Sequence, residues 1–243
     1  MQSGADITGS ASALAGGRSL FRGRAMSGYE TARANMIEGQ LRPNTVTDER
    51  VINAFGALRR ELFVPEKLHG IAYGDRALPL GGDRYLMAPM VAGRLVQALE
   101  IKRGDTALVV GAGVGYEAAV IAQLARSVVA LEDDEELARL GRAALVEHRI
   151  ASVKYVEEPG ASGSRARLAY DVILFAGAVA EILAEIAAQL TEGGRLAAVV
   201  KPVDGVGRAT LVTRAGGLLA HRVIFDAATP LLPGFARKPA FVF

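Results

Sequence analysis

The chain has 243 residues, 51% of them hydrophobic, enough for one large domain with a sizeable core, with or without an appendage. Its 28 Lys and Arg against 26 Asp and Glu leave a formal charge of +2, and no basic stripe interleaved with aromatics is present, which argues against nucleic acid as a partner. The absence of cysteine excludes disulfides, thiolate metal sites and a Cys nucleophile, and His69, His148 and His221 match no metal-ligand spacing, so no metal is expected.

Residues 1–25 are rich in Gly, Ser, Ala and Arg and lack a long apolar stretch behind a basic start. They read as part of a disordered tail running to residue 27, or as a mis-set start before Met26, rather than as a secretory signal; a Ser- and Arg-rich transit-type segment is the alternative. No uninterrupted apolar run of about 18 residues occurs, so no membrane-spanning helix and no membrane partner are expected, and the expected location is cytoplasmic.

Residues 28–70 follow with helical apolar spacing, in "YETARANMIEGQL" and then "TDERVINAFGALRRELF". Thr47 or Asp48 is the predicted N-cap of the second helix, and Pro65 closes it. Residues 74–89, "GDRALPLGGDRYLMAP", read as a loop with a Gly-Gly-Asp turn, and a helix is predicted over 90–101.

From residue 106 onward strands and helices alternate. Strands are predicted at 106–110, 127–132, 153–156, 171–175 and 195–200, with helices in "YEAAVIAQLA", "DEELARLGRAALVEH" and "VAEILAEIAAQL". Continuous apolar strands separated by amphipathic helices indicate a parallel sheet covered on both faces. Residues 208–225 read as an antiparallel hairpin turning at Gly216 and Gly217, and "AFVF" (240–243) as one more short strand. The expected fold class is α/β, a doubly wound, mostly parallel seven-stranded sheet with an N-terminal helical segment and a C-terminal antiparallel hairpin.

The first of these strands runs into "LVVGAGVGY" (108–116), with Gly111, Gly113 and Gly115 in a G-x-G-x-G spacing. A dinucleotide fingerprint needs G-x-G-x-x-G, and Tyr116 stands where its third glycine belongs, which argues against a pyrophosphate and an NAD-linked oxidoreductase. The next strand ends in "ALEDD", placing Glu132 at its tip, where a carboxylate can accept hydrogen bonds from both hydroxyls of a ribose. A nucleoside ligand at the carboxyl edge of the sheet fits both features.

This combination resembles the S-adenosylmethionine-dependent methyltransferases, with "YDVILFAGA" (170–178) and "LTEGGRLAAVV" (190–200) matching their later strands. "MIEGQLRPNTVTDERVINAFGALRRELFVPEKL" (36–68) and "AYGDRALPLG" (72–81) further resemble the protein-L-isoaspartate O-methyltransferase family. The resemblance implies S-adenosylmethionine as cofactor, held by Gly111, Gly113, Gly115, Tyr116, Glu132, Asp133 and Glu158. It implies as partner a damaged protein or peptide whose isoaspartyl carboxylate is methylated for repair. It also implies one methyltransferase domain over 28–243, with 28–101 forming the helical and substrate-loop part and 102–243 the cofactor-binding sheet.

Three departures from the family pattern stand out. The family usually continues G-Q-T-I-S-x-P after its L-P-I-G, whereas this chain reads "GGDRYLMAP", with Tyr85 at the Thr position and Met87 at the Ser position. Arg84, Tyr85 and Met87 are therefore the substrate-loop candidates. Val109 stands where many methyltransferases carry an acid before the glycine loop, and "VEEPG" (156–160) replaces a Gly-Asp-Gly, leaving Glu158 to act near the adenine. No residue is assigned a catalytic role, because a carboxylate with a reference pKa near 4 is already ionised at neutral pH and needs no general base. The alternative reading is a non-catalytic or divergent S-adenosylmethionine-binding protein with a different acceptor.

Overall fold

The computed structural model describes residues 28–160 and 169–236, so the expected N-terminal tail and the strand expected at 240–243 lie outside the described residues. Strands β1 (Leu78–Gly81) and β2 (Arg84–Leu86) form a small antiparallel hairpin. The main sheet contains β3 (Thr106–Val110), β4 (Ser127–Leu131), β5 (Val153–Val156), β6 (Tyr170–Val179), β7 (Leu190–Val200), β8 (Arg208–Ala215) and β9 (Leu218–Asp226). Their order is β5-β4-β3-β6-β7-β8-β9, with β5 to β7 parallel to one another and β8 antiparallel to both β7 and β9. The helices are α1 (Gly28–Met36), α2 (Glu49–Ala57), α3 (Pro89–Ala98), α4 (Tyr116–Ala122), α5 (Glu135–Glu147) and the single turn α6 (Ala184–Ala187).

Strand β3 shows why its sequence is apolar without alternation. Ala107 and Val109 enter one core, shared with α2, α3 and α4, while Leu108 and Val110 enter the other, shared with Ile173, Phe175 and Ile186. Successive side chains point to opposite faces, and here both faces are covered. The β8–β9 hairpin turns where expected, at Gly216 and Gly217, both with positive φ, as a two-residue turn of this hand requires.

Three local expectations need correction. The second helix ends at Ala57 rather than at Pro65, because Leu58 is extended and Arg60–Phe63 forms a separate 3-10 turn. The helix predicted over 179–190 is reduced to Ala184–Ala187, because β6 runs on to Val179 and β7 starts at Leu190. The backbone around Ala178 is taken by the C-terminal segment: Ala178 N donates to Pro230 O at 2.8 Å and Leu232 N to Ala178 O at 2.8 Å. Pairing with residues some fifty positions away overrides the local helical periodicity. The loop predicted at 74–89 contains the β1–β2 hairpin; its turn was legible, but its strands are short and one carries Pro79, which a strand tolerates only at an edge.

Asp48 is the N-cap of α2, its carboxylate accepting from Arg50 N at 2.8 Å, and Asp134 is the N-cap of α5, accepting from Leu137 N at 3.0 Å. Replacing Asp134 with Ala should cost about 1 kcal/mol of stability, read as a lower urea midpoint with an unchanged slope.

Candidate active site

Strand order reverses between β3 and β6, and open α/β sheets bind ligands in the crevice outside the carboxyl ends of the strands at such a point. The glycine loop leaves β3 there. Gly113 N donates to Glu132 Oε2 at 2.6 Å, so the loop backbone and the tip of β4 are tied directly together. Behind the loop, the Tyr155 hydroxyl on β5 donates to Gly113 O at 3.1 Å.

Glu132 is buried and its carboxylate is heavily engaged. Oε1 accepts from Asp134 N at 2.9 Å and from Arg84 Nη2 at 2.6 Å, and the same Arg84 nitrogen pairs with Asp133. Burial raises the Glu132 carboxyl above the usual carboxylate range, against the opposing pull of the backbone amides and Arg84. Arg84 is only 7% exposed, since alternation along β2 turns Arg84 and Leu86 inward and Tyr85 outward. Two groups assigned separately from the sequence, one to the substrate loop and one to the cofactor, thus form a single buried ion pair.

The remaining predicted residues divide. Tyr85 is partly exposed on the outer side of β2. Met87 lies in the hydrophobic core, and its carbonyl accepts from Arg60 Nη2 at 2.6 Å. Tyr116 is fully buried against Phe55 and Phe63, with the Arg60 guanidinium 4.6 Å from its ring centre, and burial pushes its hydroxyl up to about 12. Its ring contacts are those of a packing residue between α4 and the N-terminal helices. Asp133 is exposed and held by Arg84, and Glu158 is half-buried just beyond β5.

Sequence reasoning missed the C-terminal segment. A Cβ added to Gly111 would lie 2.7 Å from Leu232 Cδ2, and one added to Gly177 would also lie 2.7 Å from that atom. Leu232 therefore rests on the bare backbone at the ends of β3 and β6. Phe235 packs against Gly160 and stands edge-on to Phe175, with ring centres 5.5 Å apart. "LLPGF" (231–235) offers an apolar run but nothing that names its partners.

A family model described as Protein-L-isoaspartate(D-aspartate) O-methyltransferase (PCMT) matches residues 31–224. The chain belongs to the protein-L-isoaspartate O-methyltransferase family. The protein-L-isoaspartate O-methyltransferase of Methanoculleus marisnigri is 36% identical over 184 residues, covering 76% of this chain and 84% of that protein. That of Opitutus terrae is 34% identical over 202 residues, covering 82% and 87%. A solved protein-L-isoaspartate O-methyltransferase structure, at 23% identity, superposes with a TM-score of 0.72 over 83% of this chain and 66% of that one. A Plasmodium falciparum structure in complex with S-adenosyl-L-homocysteine superposes with a TM-score of 0.69 at 19% identity, over 85% and 99%. The fold is that of the Rossmann-like methyltransferases.

The family's cofactor can be tested against these residues. The glycine loop and the Glu132 carboxylate are of the right kind, but among the described residues the space beside them is narrow. Among the described residues, Arg84, Gly111, Glu132, Gly160, Pro233 and Phe235 enclose a cavity of about 10 Å³. One water needs at least roughly 10–15 Å³, and small-molecule pockets run to about 300–1,000 Å³. The family is S-adenosylmethionine-dependent, and to admit that cofactor here Arg84 and Phe235 must move.

Proposed function

We propose that this chain is an S-adenosylmethionine-dependent carboxyl methyltransferase of the isoaspartyl-repair type, acting on isoaspartyl residues of damaged proteins. The observation that carries the reading is the extent of the family match: residues 31–224 include both the crevice between β3 and β6 and the β1–β2 hairpin beside it. The chemistry asks little of the side chains. An acceptor carboxylate is ionised at neutral pH, so the protein's contribution is alignment and exclusion of water rather than proton transfer.

The acceptor's recognition falls to Tyr85. It is the outward residue of β2 and carries a hydroxyl at the position where the family loop has Thr, while Met87, at the Ser position, has its side chain in the core. Met87→Ser is accordingly a core-damaging change, not a restoration of the family loop. The test is transfer of labelled methyl groups to an isoaspartyl peptide, with the normal aspartyl peptide as control. Turnover confined to the isoaspartyl peptide is expected. Tyr85→Phe should lower kcat/KM by about tenfold or more, the equivalent of one hydrogen bond to a charged group, roughly 1.5–3 kcal/mol. Equal transfer to both peptides, or to neither, would remove the assignment.

A further inference from the structure

We propose that the chain closes its own nucleoside crevice: Arg84 from the β1–β2 hairpin and Leu232–Phe235 from the C-terminal segment form a two-part plug that withdraws to admit an S-adenosyl ligand. The inference rests on the methyltransferase reading above, and adds to it a resting state in which the cofactor site is shut.

The two parts are held by different forces. On the hairpin side the contact is ionic. Arg84 Nη2 and Asp134 N both donate to Glu132 Oε1, while Gly113 N donates to Oε2, so of the carboxylate's roughly four acceptor sites one remains where a pair of ribose hydroxyls needs two. The tip of β4 is thereby satisfied from within, with Asp133 as a second anion on the same guanidinium. On the C-terminal side the contact is a short backbone zipper carrying apolar side chains. Ala178 N donates to Pro230 O, Leu232 N to Ala178 O at 2.8 Å, and Ala180 N to Phe235 O at 3.0 Å, which fixes the segment to the end of β6. This zipper lays Leu232 across the point where strand order reverses, over Gly111 on one side and Gly177 on the other. Phe235 covers Gly160 beyond β5. The glycines that would let a ligand approach the backbone are in contact with the chain's own side chains.

A site competent in only a fraction of molecules binds with an apparent affinity reduced by that fraction. Loosening either half of the plug should therefore strengthen binding, although it removes native contacts. The probe is S-adenosyl-L-homocysteine, titrated calorimetrically into the full chain, into Arg84→Gln, and into the double variant Leu232→Ala/Phe235→Ala. Both variants should bind at least tenfold more tightly than the parent. Both should melt lower without ligand and gain more on adding it, a pairing that a purely structural role would not produce. If the variants melt lower and bind no tighter than a parent that binds well, the plug is overturned and the methyltransferase reading stands. If none of the three proteins binds, the reading itself fails and the plug with it.

Discussion

Gly141→Ala should destabilise the fold by about 3 kcal/mol, although helix propensity alone predicts a gain near 1 kcal/mol. Gly141 lies within α5 where the helix crosses β5, and a Cβ there would sit 1.8 Å from the Tyr155 hydroxyl, 2.6 Å from its Cζ and 2.8 Å from Val114 O. The last contact is backbone, so a side-chain rotation does not relieve it. Overpacking costs roughly 1–3 kcal/mol, and displacing Tyr155 leaves a buried hydroxyl without its Gly113 partner for roughly 1–3 kcal/mol more. Those terms outweigh the propensity gain. The measurement is urea unfolding of the single variant and of the same change in a Tyr155→Ala background. With the ring removed, the cost should shrink by 2 kcal/mol or so, a coupling expected only of groups in direct contact. An undiminished cost would place the strain elsewhere, in the Val114 carbonyl or in α5 itself.

The same contact explains part of what the sequence made legible. Periodicity located β3 and β5 to the residue and β4 to within one: β3 is an apolar run buried on both faces, β4 is nearly so, and β5, at the sheet edge, sets exposed Lys154 beside buried Tyr155. Glu132 and the glycine loop were legible as well, since a strand followed by spaced glycines and a second strand tipped by an acid has a fixed geometric meaning. The reason for the glycines was legible only in part. The need for bare backbone at Gly111 and Gly115 comes, in this structure, from Leu232 and the Tyr155 hydroxyl, which lie 121 and 40 residues away along the chain.

What stayed hidden depends on long-range partners. Arg84 carried a charge visible in the sequence, but its pairing with Glu132 spans 48 positions and follows from the β1–β2 hairpin, which a loop-like composition concealed. Ala178 and Ala180 lie where helical periodicity begins, and their neighbourhood is extended because Pro230–Phe235 supplies the missing hydrogen bonds. The resemblance implies Tyr116 among the cofactor residues, and nothing in the sequence shows where its ring packs. As the first residue of α4 it turns its ring into the layer of Phe55, Phe63 and Arg60.

Glu117, beside Tyr116, sets the second large effect. It is 2% exposed, and its Oε1 has no hydrogen-bond partner among the described residues. Burial pushes its carboxyl from 4.5 up to about 7, with the Arg60 charge and backbone hydrogen bonds acting in the opposite direction. Between those two values the folded chain keeps a proton that the unfolded chain has lost, so stability falls as pH rises through this window. The contribution is intact below 4.5 and gone above about 7, a difference of about 3 kcal/mol at roughly 1.4 kcal/mol per pH unit. Glu117→Gln keeps the shape and removes the titration. Unfolding free energies of the two proteins should agree within about 1 kcal/mol at pH 4.5, and the variant should be more stable by about 3 kcal/mol at pH 8. Asp48, Glu49, Glu136 and Glu147, which their arginine partners hold below the usual range, change stability in the opposite sense, but they do so equally in both proteins and cancel in the comparison. A difference independent of pH would mean that Glu117 is ionised throughout, with Arg60 outweighing burial. Arg60 also holds the Met87 carbonyl, so that outcome would make the pair a permanent ionic brace beneath the substrate loop rather than a group that releases its proton near neutrality.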